Sequence, residues 1–248
     1  MQIIISPAKK INDKNDFIVN DLQQPKFFKE ALKLYTYLQS LDKTKLKHLY
    51  KASDKLVDEA YANLHHYDIN HGFLTAINAY DGIQYQYMHA SLFNNQEIEF
   101  LNHHLYIISG LYGLLRPLDK IIPYRLEMQS RINCQGYHNL YDYWNCQLAD
   151  VLNANNEIVL NLASVEYSKA IKKYIPGNQW IDVFFYEVTP DGLKEKGVYA
   201  KMARGTMIRY IAENKINCPS DLIAFSDLNY QFNQELSNDY TYVFVRRI

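Results

Sequence analysis

Arg116, Asp119, Arg125 and Glu127 lie close together in one segment that runs Ser109-Gly-Leu-Tyr-Gly-Leu-Leu-Arg-Pro-Leu-Asp-Lys-Ile-Ile-Pro-Tyr-Arg-Leu-Glu127. Two arginines can clamp an anion, and a carboxylate beside them can act as general acid or base. Gly110 and Gly113 free the backbone for left-handed or close-approach geometry, while Pro117 and Pro123 stop a long helix. The charges therefore sit on short, bent backbone instead of one solvated helical face. An internal ion-pair network that fixes an irregular loop accounts for the same residues, and both readings stand.

Further cations occur at three places. Lys9 and Lys10 follow the apolar run Ile3-Ile4-Ile5 after a Ser6-Pro7 stop. On a helix spanning 199–214, Lys201, Arg204, Gly205 and Ile208 share one side, opposite Ala203, Met207, Tyr210 and Ile211, and Arg209 follows on the same helix. A mid-helix glycine costs about 1 kcal/mol relative to alanine, so Gly205 marks either the approach of a phosphate or tight packing on another element. Two helices, 44–51 and 54–65, meet at Lys51-Ala-Ser-Asp-Lys55 with Ser53 placed as a cap. In a helix-hairpin-helix such a joint offers backbone amides and flanking lysines to a DNA phosphate. Asp54 and Leu56 stand where that motif usually has glycine, and a plain hairpin burying Leu49 and Leu56 is the alternative.

The elements that must position these groups follow from apolar spacing. Strands are expected at 3–5, 104–108, 157–162, 180–188 and 240–245, and helices at 26–41, 76–80 and 140–152, with Ser164 capping a helix that carries Lys169, Lys172 and Lys173. The stretch 11–25 reads as a polar surface loop, Asp81-Gly82 as a turn, and Ile83 to Met88 as an alternating aromatic run. Leu56, Ala60 and Leu64 are expected as the inner stripe of the second hairpin helix. Strands and helices interleave without a regular βαβ cadence. The expected fold is mixed α/β (α+β), a single irregular domain over 1–248 with a mixed sheet, surrounding helices and a helix-hairpin-helix-like element.

Composition narrows the function classes. A chain of 248 residues can build one large core without metal or disulfide support. A formal net charge of -1 argues against coating nucleic acid by bulk positive charge, although a neutral total can hide a local basic cleft. Cys134, Cys146 and Cys218 lack paired spacing, and the adjacent histidines 65/66 and 103/104 do not share a face, so no metal site or other cofactor is expected. No run reaches the length of a signal core or a membrane span, no GxGxxG or Walker A pattern occurs, and no repeat is found. The 22 tyrosines include Tyr50, Tyr124 and Tyr174 beside cations, where rings can stack bases or simply sit half-buried with a bonded hydroxyl.

Six motifs occur in order: Ile5-Ser-Pro-Ala-Lys9, Ser53-Asp-Lys-Leu56, Ser109 to Asp119, Pro123-Tyr-Arg-Leu-Glu-Met128, Asn161-Leu-Ala-Ser164 and Ala200-Lys-Met-Ala-Arg-Gly205. Together they resemble the YaaA family of peroxide stress resistance proteins along essentially the whole chain. The resemblance implies a cytoplasmic bacterial protein linked to survival of hydrogen peroxide, to lowered harm from iron and to DNA repair. It also implies binding of duplex or branched DNA with little sequence preference, through a positive cleft and a helix-hairpin-helix. It establishes no reaction. The family's basic residues carry over to Lys9, Arg116, Arg125, Lys201 and Arg204, with the hairpin near Ser53. Met202, Gln129 and Val165 depart from the family pattern, and Met202 removes a common lysine.

Two functions are thus expected in competition. In the first, Lys9, Lys51, Lys55, Arg116, Arg125, Lys201, Arg204 and Arg209 line a cleft that contacts DNA phosphates. In the second, an enzyme acts on a phosphorylated or nucleobase-containing small molecule, with Arg116 and Arg125 as clamps, Lys201 as an electrophilic stabiliser and Asp119 or Glu127 as acid or base. A narrow pocket favours the second, and an open groove as wide as a duplex favours the first.

Overall fold

The computed structural model describes residues 1–13 and 22–247. Helices in chain order are α1 (Phe28–Gln39), α2 (Lys43–Tyr50), α3 (Asp54–His66), α4 (Ala76–Ala79), α5 (Ile83–Met88), α6 (Asn95–His104), α7 (Leu140–Trp144), α8 (Gln147–Asn153), α9 (Val165–Lys172) and α10 (Gly197–Glu213). Strands are β1 (Gln2–Ile5), β2 (Lys10–Ile11), β3 (Leu74–Thr75), β4 (Tyr80–Asp81), β5 (Leu105–Ser109), β6 (Gly113–Leu115), β7 (Lys120–Ile121), β8 (Val159–Leu162), β9 (Trp180–Thr189), β10 (Gly192–Lys194), β11 (Tyr230–Phe232) and β12 (Thr241–Arg246).

The main sheet runs β11-β12-β9-β8-β1-β5-β6, with β10 added to the far end of β9. Its inner strands β12, β9, β8, β1 and β5 are parallel, whereas β11, β6 and β10 are antiparallel. Ile3, Ile4 and Ile5 are fully buried, as the continuous apolar run of a strand covered on both faces requires. The fold is therefore mixed α/β with a mixed sheet, and β8-α9-β9 is its compact parallel unit. After β1 the chain reaches β5 on one side and later returns to β8 on the other, so β1 is a topological switch point, where the carboxyl ends of neighbouring strands leave a crevice.

Packing corrects several expectations. Ile83 to Met88 is a helix, α5, whose buried residues are Gln84, Tyr85 and Met88. The inner stripe of α3 is Val57, Ala60 and Leu64, and Leu56 is 41% exposed. Neither is the plain hairpin as expected, because Leu49 is buried and Leu56 is not. Ile11, expected in a loop, pairs with β4 together with Lys10, and Gln23 of the same stretch bridges Asp119. Residues 14–21 of that loop lie outside the described residues. The 140–152 helix breaks at Asn145, which has φ 44. Helix α6 was not anticipated, although Asn94 and Glu97 form a reciprocal capping box at its start.

One ion cluster anchors the long strand. Glu187 of β9 is fully buried, with Lys196 Nζ at 3.0 Å and Arg246 Nη2 at 2.5 Å. Arg246 is its neighbour in register on β12 and lies 4.0 Å from the Tyr199 ring centre. Among the described residues no helix is long and apolar enough to cross a membrane.

Candidate functional site

The crevice at the carboxyl ends of β1 and β8 is closed by two serines. Ser164 N–H donates to Ser6 Oγ at 2.8 Å, and the Ser6 hydroxyl donates to Ser164 Oγ at 3.2 Å. Ser164 occupies the cap position of α9, yet its side chain makes no cap bond, because its hydroxyl is engaged by Ser6. Pro7 ends β1, and Lys9 and Lys10 project beyond it. A cavity of about 460 Å³ opens here between residues 6–10, residues 81–85 around the start of α5, the first turn of α9, and Lys201 and Arg204 of α10. A second, of about 330 Å³, shares Lys9 and Lys10 and is walled by Leu56, Glu59, Ala60 and Asn63 of α3 and by Pro123, Tyr124 and Arg125. Lys9 and Lys10 are thus a partition between two hollows.

Charge at the partition is nearly balanced. Glu127 lies between Lys9 Nζ (2.8 Å) and Arg125 Nη2 (3.2 Å). Lys10 pairs with Asp81, and Arg204 Nη2 meets Glu195 at 3.1 Å. Burial lowers the pKa of the Arg204 guanidinium and Glu195 opposes that shift; arginine nonetheless stays protonated. Lys201 is exposed and makes no ion pair among the described residues. Glu166, in the first turn of α9, accepts a bond from Gln129 N–H at 3.2 Å. Burial raises its pKa, the Gln129 amide opposes this, and the nearby Glu127 raises it further against the pull of Lys9. Gln84 Nε2, Arg125 Nε and Arg204 Nε are buried without hydrogen-bond partners.

The floor of the second hollow is stiff for an identifiable reason. Tyr124 OH lies 2.6 Å from both Tyr80 OH and Ser109 Oγ, and Ser109 Oγ accepts from Leu111 N–H and Tyr112 N–H. Burial pushes the Tyr124 phenol up to about 12. Gly110 lets the two halves of the central segment touch, since a Cβ there would lie 2.4 Å from Leu126 O, and Gly113 has φ +74. Most tyrosines are likewise buried or bonded, and Lys173 sits 4.6 Å over Tyr174.

Of the residues singled out in sequence, Lys9, Arg125, Glu127, Lys201 and Arg204 come together around the partition. Arg116 and Asp119 do not. The Arg116 guanidinium donates to Asn102 O and, at 3.0 Å, to Tyr106 OH, and it stacks 5.0 Å from the Tyr106 ring centre. Asp119 accepts from Arg116 N–H at 2.8 Å, and the pair borders a separate hollow of about 230 Å³ with Gln23, Gln24 and Lys26. Arg209 pairs with Glu213 at 2.6 Å and lines neither hollow of the partition. Lys51 ends α2 in a left-handed conformation (φ 47), and Ser53 precedes α3 with no side-chain cap bond. Lys51 and Lys55 are exposed at that joint, next to the face of α3 that borders the second hollow. Gly205 serves packing, because a Cβ would sit 2.2 Å from Gln84 O and 2.9 Å from Tyr87 Cβ; α5, and not a phosphate, occupies the bare backbone.

Sequence reasoning missed Ser6, Gln84 and Glu166. Glu166 had a signal, an acid in the first turn of a capped helix, which favours the helix dipole. Gln84 had none, since its environment is created by α10.

No group of three or more histidine, cysteine, aspartate or glutamate side chains arranged to hold a metal occurs among the described residues. A family model described as "Peroxide stress protein YaaA" matches residues 1–236. The chain is 41% identical over 249 residues to a UPF0246 protein of Agathobacter rectalis, covering 100% of both chains. It is 40% identical over 247 residues to one from Desulfitobacterium hafniense (99% of this chain, 98% of that one), and 41% identical over 249 residues to one from Lacticaseibacillus casei (100% of both). On this match along the whole chain, the chain belongs to the YaaA family of peroxide stress proteins.

Proposed function

We propose that this protein acts in peroxide stress in the cytoplasm by holding DNA through its phosphates, limiting damage that iron and peroxide inflict there. The observation that carries this reading is the meeting of Lys9, Lys10, Arg125, Lys201 and Arg204, drawn from three distant stretches of sequence, around a shared partition in a chain of net charge -1. The α2–α3 joint, with Lys51 and Lys55 exposed and the amides of α3 uncapped by Ser53, adjoins the second hollow. Helix starts and lysines of this kind hold phosphates without reading sequence.

Partner exchange limits the affinity. Carboxylates already neutralise Lys10 and Arg204, and Glu127 is shared by Lys9 and Arg125, which leaves one net positive charge there besides Lys201, Lys51 and Lys55. With about four phosphates neutralised, affinity falls roughly 150-fold between 50 and 200 mM salt. Lys201→Glu, at an exposed position, weakens binding to unrelated duplexes alike, read by fluorescence anisotropy. A salt-independent signal, or full retention of binding in Lys201→Glu combined with Lys55→Glu, refutes the proposal.

The size of the 460 Å³ hollow favours a second reading, an enzyme acting on a phosphorylated or nucleobase-bearing small molecule. In it, Asp81 and Glu166 are the acids that line the hollow, with Glu127 behind Lys9, while Asp119 lies elsewhere.

A further inference from the structure

The larger hollow holds more than a phosphate contact needs. We propose that it is a pocket for one nucleotide unit, with the phosphate at the start of α9 and the base enclosed against α5. The inference rests on reading this face as a phosphate-binding surface and adds a ligand to it.

Three observations carry it. The volume of about 460 Å³ greatly exceeds that of a lone phosphate and falls in the range of small-molecule sites. At one end the amides of α9 are not capped by the Ser164 side chain, with Lys201 unpaired among the described residues and Arg204 Nε buried and unpartnered nearby. Helix dipole, amides and the unpaired Lys201 together suit a phosphate, beside a Glu166 carboxylate that accepts from Gln129 N–H at 3.2 Å and an Arg204 whose Nη2 is held by Glu195. Pro7, Ile83, Tyr85 and Tyr167 supply apolar and aromatic surface for a base. The Tyr85 ring is fixed there, since its hydroxyl donates to Ser6 O at 2.9 Å.

Gln84 is the decisive side chain. It lines the hollow, is only 7% exposed, and its Nε2 has no partner. An unbonded buried amide is costly unless a ligand satisfies it. An amide presents both a donor and an acceptor, which complements the hydrogen-bonding edge of a nucleobase. Its backbone cannot retreat, because Gly205 of α10 abuts Gln84 O.

The nucleotide has two possible sources, a free mononucleotide or an unpaired nucleotide in DNA held across the partition of Lys9 and Lys10. Calorimetry on the full chain with the four deoxynucleoside monophosphates, with inorganic phosphate as control, tests the first. Anisotropy with a duplex carrying one unpaired nucleotide, against the fully paired duplex and one with an abasic residue at that position, tests the second. A free source predicts that at least one monophosphate binds about tenfold or more tightly than phosphate, and that Gln84→Met weakens it roughly tenfold. A DNA source predicts the same factor between the unpaired-nucleotide duplex and both of its controls, again lost in Gln84→Met. Lys201→Glu, whose exposed position leaves folding intact, weakens the ligand from the phosphate end if Gln84→Met proves unstable.

Absence of preference in both assays overturns the nucleotide pocket, even where paired duplex still binds and the DNA reading stands. Monophosphate binding without any duplex binding supports the pocket and removes the DNA reading alone.

Discussion

Helix α10 carries two glycines with opposite surroundings, so one substitution at each should move stability in opposite directions. At Gly205 a Cβ would lie 2.2 Å from Gln84 O, 2.9 Å from Tyr87 Cβ and 3.0 Å from Met88 N. Two of the three obstacles are backbone atoms of α5, which no rotamer change can move, so the helices must separate by about an ångström against a close-packed interior. Overpacking of this sort costs about 1–3 kcal/mol and occasionally more. The better helix propensity of alanine returns about 1 kcal/mol. With two backbone obstacles the cost belongs at the upper end of that range, about 3 kcal/mol, and the net loss of about 2 kcal/mol lowers Tm by roughly 4–8 °C in a chain of this size. Gly197 has nothing within 4 Å of its added Cβ, so Gly197→Ala should gain about 0.5 kcal/mol. Thermal melts by circular dichroism, backed by urea titration, compare the two variants side by side. A Gly205→Ala protein as stable as Gly197→Ala would refute the reasoning and, with it, the claim that α10 fixes the position of Gln84.

Two further tests address buried charge. Burial raises the Asp119 carboxyl to about 6, partly opposed by the Arg116 amide and then by the Arg116 charge, so its native pKa lies above the unfolded value. The associated stability is complete below about pH 4 and is lost as pH rises through about 6. Asp119→Asn, which still accepts from Arg116 N–H, should abolish that slope and raise stability at pH 7 by on the order of 2–3 kcal/mol. Urea midpoints from pH 4 to 7 with the same slope in both proteins would contradict this. Glu187→Gln strips the charge that Lys196 and Arg246 share and should destabilise by about 3 kcal/mol, read as a shift in urea midpoint. Lys196→Met, which changes a side chain that is 47% exposed, should cost much less, and equal losses would disprove the ranking.

How much of this could be read from the chain depended on whether a feature was local. The buried run of β1, the break after Ser109, α9 with Ser164 at its start and the 3.6-residue pattern of α10 are set by neighbours in sequence and were legible. Alternation misled at Ile83 to Met88, because Tyr85 and Met88 are buried by α10, which lies far away in sequence. The convergence of Lys9, Arg125, Lys201 and Arg204 followed from the motifs. The exclusion of Arg116 did not, since it depends on Asn102 and Tyr106 capturing its guanidinium. Carboxylate neutralisation by Glu127 and Glu195 is likewise a product of tertiary proximity. Gly205 signalled closeness correctly, but what comes close is α5, which lies more than a hundred residues away in the chain.

The switch-point strand has a consequence for biosynthesis. Ile3 is made well before either of its partners in register, Leu105 and Leu160. At about 5–20 residues per second the second neighbour emerges some 8–30 s later. Until β5 is made both edges of this run of three isoleucines lack their partners, and until β8 is made one edge still does, which leaves the nascent chain open to aggregation over that interval. Silent codon changes that slow translation between β5 and β8 should therefore lower the soluble yield without altering a single residue of the mature molecule.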